Sequence, residues 1–254
     1  VYVFYRIKKM TDFFDNITVR DFFPKIQYQI DIAKQAFPAS LNMFCVGAGF
    51  FIIIFFASFF PSPDTSSISV ASYGIAIRIE QIILMPAIGL NFACLALTGQ
   101  NFGAVKYDRI REGYLICLKY GLILMVCGSL FLYFGAGYFM KIFTDDIPVI
   151  NTGIHYLQIA ALFAPILPVL NISIALMQGV KKPIYTVFIS LFKEVVGAAI
   201  IIWLLCFYLN YKLQGLWVGI LIVNYLSVII FLFIVNNQMK SLGLEIFRRK
   251  LPPN

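Results

Sequence analysis

Charge and histidine are what this chain has least of. Of its 254 residues only 13% are charged and one is His, where a soluble domain carries about 25% charged residues. A single histidine without a convergent carboxylate cluster offers no donor set for a metal. The five cysteines, Cys45, Cys94, Cys117, Cys127 and Cys206, are odd in number, form no Cys-x-x-Cys pair and all fall inside apolar runs. They read as small hydrophobic residues, which excludes a disulfide framework and a redox motif. Also absent are the Gly-x-x-x-x-Gly-Lys-[Ser/Thr] phosphate loop, His-Glu-x-x-His and Gly-x-Ser-x-Gly. The chain is therefore expected not to be an enzyme, with no catalytic residue, no metal and no cofactor. A potassium-type filter and a voltage-sensing arginine ladder are missing as well.

What fills the space is hydrocarbon. Hydrophobic residues make up 61% of the chain and 26 residues are Phe. They gather into blocks of about 20 or more, the length that crosses a bilayer core about 30 Å thick. Apolar runs and breakers predict six spans, at 38–60, 70–97, 113–140, 152–177, 184–209 and 215–236. Between them stand turn signals: Pro61-Ser62-Pro63-Asp64, Gly99 to Gly103, Asp145-Asp146 before Pro148, Gly179 to Pro183, and Asn210 to Gly215. The sequence opens at Val1 without a short cleavable leader, which fits a piece of a longer polypeptide.

The net charge of +8 is topological. On one side of the six spans lie fifteen Lys and Arg, among them Arg6, Lys34, Lys106, Arg109, Lys181, Lys182 and Lys240; on the other lie only Lys141 and Lys212. The positive-inside rule then places both termini in the cytoplasm, and nucleic acid is not an expected partner. Residues 1–37 interleave charge and aromatics, as an amphipathic segment on the membrane face would.

Ionisable residues inside a span must face protein or water. In the second span Arg78 and Glu80 lie about 12 and 15 Å from its outer end near Val70, at 1.5 Å per residue. Tyr73, Glu80 and Asn91 share one helical stripe with Gln81 beside it, while Arg78 points about 160° away from Glu80, so those two cannot pair. Lys193 and Glu194 reach similar depth in the fifth span. The four charges sum to zero, which allows two readings: a structural network such as Arg78 with Glu194 or Lys193 with Glu80, or a carboxylate facing a water-filled cavity and exchanging a proton or cation. The fourth span has His155, Gln158, Asn171 and Gln178 and is broken by Pro165 and Pro168. Those prolines free carbonyls that need protein or a cavity beside them.

The run Ala71-Ser72-Tyr73-Gly74-Ile75-Ala76-Ile77-Arg78-Ile79-Glu80-Gln81, followed by Met85-Pro86-Ala87-Ile88-Gly89-Leu90 and Gly99-Gln100-Asn101-Phe102-Gly103-Ala104, resembles the multidrug and toxic compound extrusion (MATE) transporters. More particularly it is similar to their DinF-like branch. Phe37-Pro38-Ala39-Ser40-Leu41 and Met177-Gln178-Gly179-Val180-Lys181-Lys182-Pro183 add to the likeness, which covers about residues 36–240.

The resemblance implies an all-α membrane protein: six transmembrane helices forming one lobe of a twelve-helix, pseudo-symmetric transporter. Residues 1–37 would be the interlobe linker or a juxtamembrane segment, 38–240 the C-terminal lobe and 241–254 a basic cytoplasmic tail. It implies export of organic cations or other amphipathic solutes in exchange for H+ or Na+, from a bacterial inner membrane, with the missing N-terminal lobe and the lipid bilayer as partners. Candidate pathway residues are Tyr73, Arg78, Glu80, Gln81, Asn91, Lys193 and Glu194. Candidate gating or helix-end residues are Pro86, Gln100, Asn101, Gly103, Pro165 and Pro168. Two departures leave the coupling ion open. Where the NorM-like branch has acids in the first and fourth helices of this lobe, this chain reads Phe44-Cys45-Val46 and Ile166-Leu167-Pro168; in other branches the coupling carboxylates lie in the first lobe. Other readings are a lipid-linked oligosaccharide flippase of the same superfamily, expected to carry more cavity cations, and a non-transporting membrane subunit or truncated product.

Overall fold

The computed structural model describes residues 26–59, 65–241 and 243. The mixed segment 1–25, the Pro61–Pro63 turn and the basic tail at 244–254 lie outside the described residues. The chain divides into two units, Val1–Phe37 and Pro38–Asn254. In the first, 26–37 are helical and Lys34 Nζ lies 3.8 Å from Asp31 on an exposed face.

The second unit contains the bundle. Among the described residues six helices are long and apolar enough to cross a membrane: α1 (Ile26–Ser58, of which 38–58 belong to this unit), α2 (Thr65–Gly103), α3 (Tyr107–Phe143), α4 (Ile147–Gly179), α5 (Ile184–Tyr208) and α6 (Lys212–Ser241). Each contains most or all of one predicted span and all but α5 run past it at one end or both, because apolar content marks only the lipid-crossing stretch while backbone N–H and C=O groups still need partners beyond it. The largest difference is at α1, predicted from 38 but helical from Ile26, with Pro38 inside. The residues before Pro38 include Gln, Ala and Lys, which favour a helix, and Asp31 stands one helical turn before Lys34; the polar ones among them keep this stretch out of the apolar run.

The expected glycine turn at Gly99 to Gly103 is also corrected. These residues are helical, Asn101 Nδ2 donates to the Leu97 carbonyl at 2.8 Å, and α2 ends only at Gly103. The chain reverses at Val105, whose φ is +56°, with Val105 N–H on Phe102 O and Lys106 N–H on Asn101 O. That is a Schellman ending with a β-branched residue in the left-handed position usually given to glycine. The α4 end repeats it. Lys181 has φ +59°, Lys181 N–H meets Gln178 O, and Lys182 N–H meets Met177 O.

Two large apolar cores, with a small cluster of Ala87, Met125 and Ala164 besides, fill the bundle. One gathers Tyr73, Ile79, Leu132, Tyr156, Ile202 and Trp217; the other gathers Ile110, Tyr114, Ile172, Met177, Phe231 and Met239. The break in α4 lies between them, and Ile166 packs against both. Here Ala164–Ile166 form a 3-10 turn. Pro165 has no N–H for the Ala161 carbonyl, and Ser129 Oγ of α3 donates to that carbonyl instead. The Leu162 carbonyl accepts from Tyr225 OH of α6 at 3.0 Å. Neighbouring helices thus satisfy the backbone that the prolines and the tightened turn leave open.

Candidate functional site

A cavity of about 290 Å³ opens among α1, α2, α4, α5 and α6. On α2 its wall is Tyr73, Ile77, Glu80 and Leu84, a spacing of three and four residues that marks one helix face. Glu80 is only 5% exposed, and its Oε2 accepts from Tyr156 OH of α4 at 2.7 Å. Behind this pair stands an aromatic trio. The Tyr73 and Tyr156 rings meet edge-on at 5.2 Å, Tyr156 and Trp217 at 5.0 Å, and Tyr73 stacks on Trp217 at 5.9 Å. Phe50 of α1 reaches Tyr73 at 5.7 Å. A carboxylate beside ring faces and edges is an arrangement that can hold an organic cation.

The α5 wall carries Lys193 and Glu194, which pair with each other. They sit in a π turn, Leu191–Val196, closed by Gly197 N–H on Phe192 O. With more residues per turn than an α-helix, such a turn rotates successive side chains less, so both neighbours reach the same wall. A Cβ on Gly197 would stand 2.6 Å from that Phe192 oxygen, so glycine is what this turn accepts. On α1, a Cβ at Gly49 would lie 2.6 Å from Glu194 Oε2 and 2.9 Å from the Glu194 carbonyl oxygen; its absence lets α1 come against α5 at that residue. From α6, Asn224 donates to Ile220 O at 2.9 Å and leaves its buried Oδ1 without a partner at the cavity wall.

The structure thus brings together Tyr73, Glu80, Gln81, Lys193 and Glu194. It does not bring Arg78 or Asn91 to them. Arg78 is exposed on the other side of α2. Asn91, about 16 Å further along the helix at 1.5 Å per residue, is half-buried with Oδ1 unpartnered. The cross-helix pairs expected for Lys193 with Glu80 and Arg78 with Glu194 are replaced by the neighbour pair on α5, because the π turn lets Lys193 reach Glu194 directly. Pro86 lies inside an unbroken α2 and is exposed; Gln100 and Gly103 are exposed and Asn101 half-buried at the far end of the same helix. Half-buried Pro165 and buried Pro168 flank Leu167, which lines the cavity, so the α4 break borders it. Among the described residues no group of three His, Cys, Asp or Glu converges.

Sequence reasoning missed Tyr156, Trp217 and Asn224. Tyr156 is on the stripe 156, 163, 167, 170 of α4, and Asn224 is a lone amide in an apolar span; both signals were present in the pattern. Trp217, an aromatic among aromatics, carried none.

The MatE family model matches residues 38–203. The probable multidrug resistance protein NorM of Thermotoga maritima is 23% identical over 205 residues, 78% of this chain and 42% of that relative. A crystal structure of MATE in the bent conformation superposes with a TM-score of 0.83 at 22% identity, over 93% of this chain and 51% of the other. An outward-facing multidrug resistance MATE family transporter of the MOP superfamily gives 0.85 at 21%, over 95% and 53%. The chain spans about half the length of these solved structures and under half of the NorM relative. Six membrane-spanning helices in this arrangement and a family match over more than half the chain mean that this polypeptide belongs to the MATE family.

Proposed function

We propose that this chain is the second, C-terminal six-helix lobe of a secondary active antiporter of the DinF-like branch. The antiporter exports organic cations or other amphipathic solutes in exchange for H+ or Na+. The half-length match to solved MATE structures and the multidrug-resistance names of the relatives support that reading. Residues 1–37 serve as the interlobe linker and 241–254 as a basic tail; both termini face the cytoplasm of a bacterial inner membrane, in keeping with the charge asymmetry.

The observation that carries the proposal is Glu80. It is a carboxyl group buried mid-span, held by one hydroxyl, beside an aromatic trio and at the wall of a cavity. A purely structural acid would be closed in by packing on every side; this one borders space. Glu80 and Glu194 place two carboxylates on the cavity against one ammonium, Lys193, which Glu194 already engages. The balance favours a cationic or proton-bearing guest. It speaks against the flippase reading, which calls for several free cations in the cavity.

Glu80→Gln, in the polypeptide that carries both lobes, is the test, since it keeps size and removes charge. Normal expression and melting with loss of cationic-dye export is the expected result. A lowered melting temperature with proportionate loss of export would make Glu80 a structural residue. Unchanged stability and unchanged export would refute its role.

A further inference from the structure

Two residues apart on α2, Glu80 and Arg78 have opposite fates. Glu80 is buried and bonded; Arg78 is exposed and makes no ion pair or hydrogen bond among the described residues. Arg78 stands about 12 Å along the helix axis from Val70, at 1.5 Å per residue, deep enough that a bare guanidinium is costly without an anion or water. The mid-span acids of this chain, Glu80 and Glu194, are both turned into the cavity.

The face around Arg78 is largely bare, from Arg78 onward to Ala96 and again at Ala71, with Gly74 and Ile75 half-buried between. Ala71, Ile82, Met85, Gly89, Phe92 and Ala96 recur with it at spacings of three, four and seven and are all exposed, Ile82 and Met85 at 63% and Phe92 at 62%. Beside or within this stripe, Gly74, Gly89, Gly99 and Gly103 have nothing within 4 Å of where a Cβ would stand. Between membrane helices, where apolar burial gives no drive, small residues that admit a close neighbour and polar groups that need one mark the contact. A strip running along much of a helix fits another helix better than a compact solute.

We infer that a helix of the other half of the transporter lies along this α2 stripe and presents a carboxylate level with Arg78. The inference rests on the reading of this chain as one lobe, and on its covering 51 to 54% of the solved structures it superposes on. A second copy of the chain is a poor occupant. Two-fold contact through the same face would bring Arg78 toward Arg78 or set it against the apolar residues of the stripe.

The test uses the polypeptide that carries both lobes, in its own membrane. A benzoylphenylalanine photocross-linker replaces Met85 or Phe92, and Arg78→Glu and Arg78→Lys are assayed for cationic-dye export and melting temperature. Expected are adducts to a segment outside residues 1–254, a loss of export of about tenfold or more for Arg78→Glu, and near-normal export for Arg78→Lys. Changing one acid of the cross-linked helix to Lys should restore the Arg78→Glu variant.

Adducts to that segment with full export by Arg78→Glu would overturn the ion pair and leave the one-lobe reading standing. Adducts to lipid alone, with dye export by residues 1–254 expressed by themselves, would remove the one-lobe reading itself. Adducts between two copies of the chain would overturn the assigned occupant. A changed choice of dyes at unchanged melting temperature would mean that Arg78 meets solute instead of a helix.

Discussion

The two cores of this bundle solve the same problem differently. In each, a fully buried tyrosine crosses from one helix to a hydrogen-bond partner on another. In the second core Tyr114 of α3 meets Ser173 of α4 at 2.8 Å, a neutral pair among Ile172, Leu176 and Met177, none of which lines the cavity described above. In the first, Tyr156 meets Glu80, an ionisable partner, at the edge of about 290 Å³ of open space. Filled space carries matched neutral polarity, and unfilled space carries charge. The lobe is thus a closed end that holds helices together and an open end that can host something, separated by the 3-10 turn of α4.

The contrast predicts the largest stability loss in the closed core. Phe231→Ala removes a side chain that is 1% exposed there and should cost about 3–5 kcal/mol. Melting in detergent or reversible unfolding would register it, and a change below about 1 kcal/mol would mean this end is not close-packed.

A sharper comparison deletes one hydroxyl at each end. Tyr114→Phe should cost about 0.6 kcal/mol, the mean for such bonds between membrane helices, and leave dye export unchanged. Tyr156→Phe should cost a similar amount yet reduce export several-fold, because it frees Glu80 from its one described donor. Equal effects on export would erase the functional difference between the cores.

The narrowest effect, on stability alone, is expected at their boundary. Ser129→Ala leaves the Ala161 carbonyl without its cross-helix donor, a loss of about 0.6 to 1.7 kcal/mol on the range measured between membrane helices. Restoring a backbone donor with Pro165→Ala should make Ser129→Ala nearly neutral, and additive effects in that cycle would show that Ser129 does not compensate for the proline.

Much of this architecture was legible before any coordinates. Apolar blocks located six helices because the bilayer demands about 20 apolar residues per crossing, and Tyr73, Glu80, Lys193 and Glu194 stood out as polar residues at membrane depth. What was not legible is which partner each one takes. Helical phase put Glu80 opposite Arg78 correctly. Yet the Lys193 to Glu194 pair depends on a π turn, and no period of 3.6 announces one. Tyr156 was hidden beside His155, the more conspicuous residue, which is exposed. The helix ends at Val105 and Lys181 place left-handed backbone on residues that composition assigns elsewhere, so glycines were taken for the turn.

The π turn has a consequence for heredity as well as geometry. An i→i+5 turn contains one residue beyond the α turn it replaces, and α5 has two of them, at Leu191–Val196 and Leu204–Tyr208. Each works as an insertion that the helix has absorbed. Everything downstream is shifted in phase by one residue, so Ile202 and Cys206 face the core on a different numbering from Thr186 and Ser190. A codon lost within either π turn would resolve the bulge into regular helix, whereas in the middle of α6 the same loss would rotate every later side chain away from its seat. Among the described helices, α5 is therefore where the gene has length to spare, and the surplus lies at the residues that hold the cavity's only ammonium group.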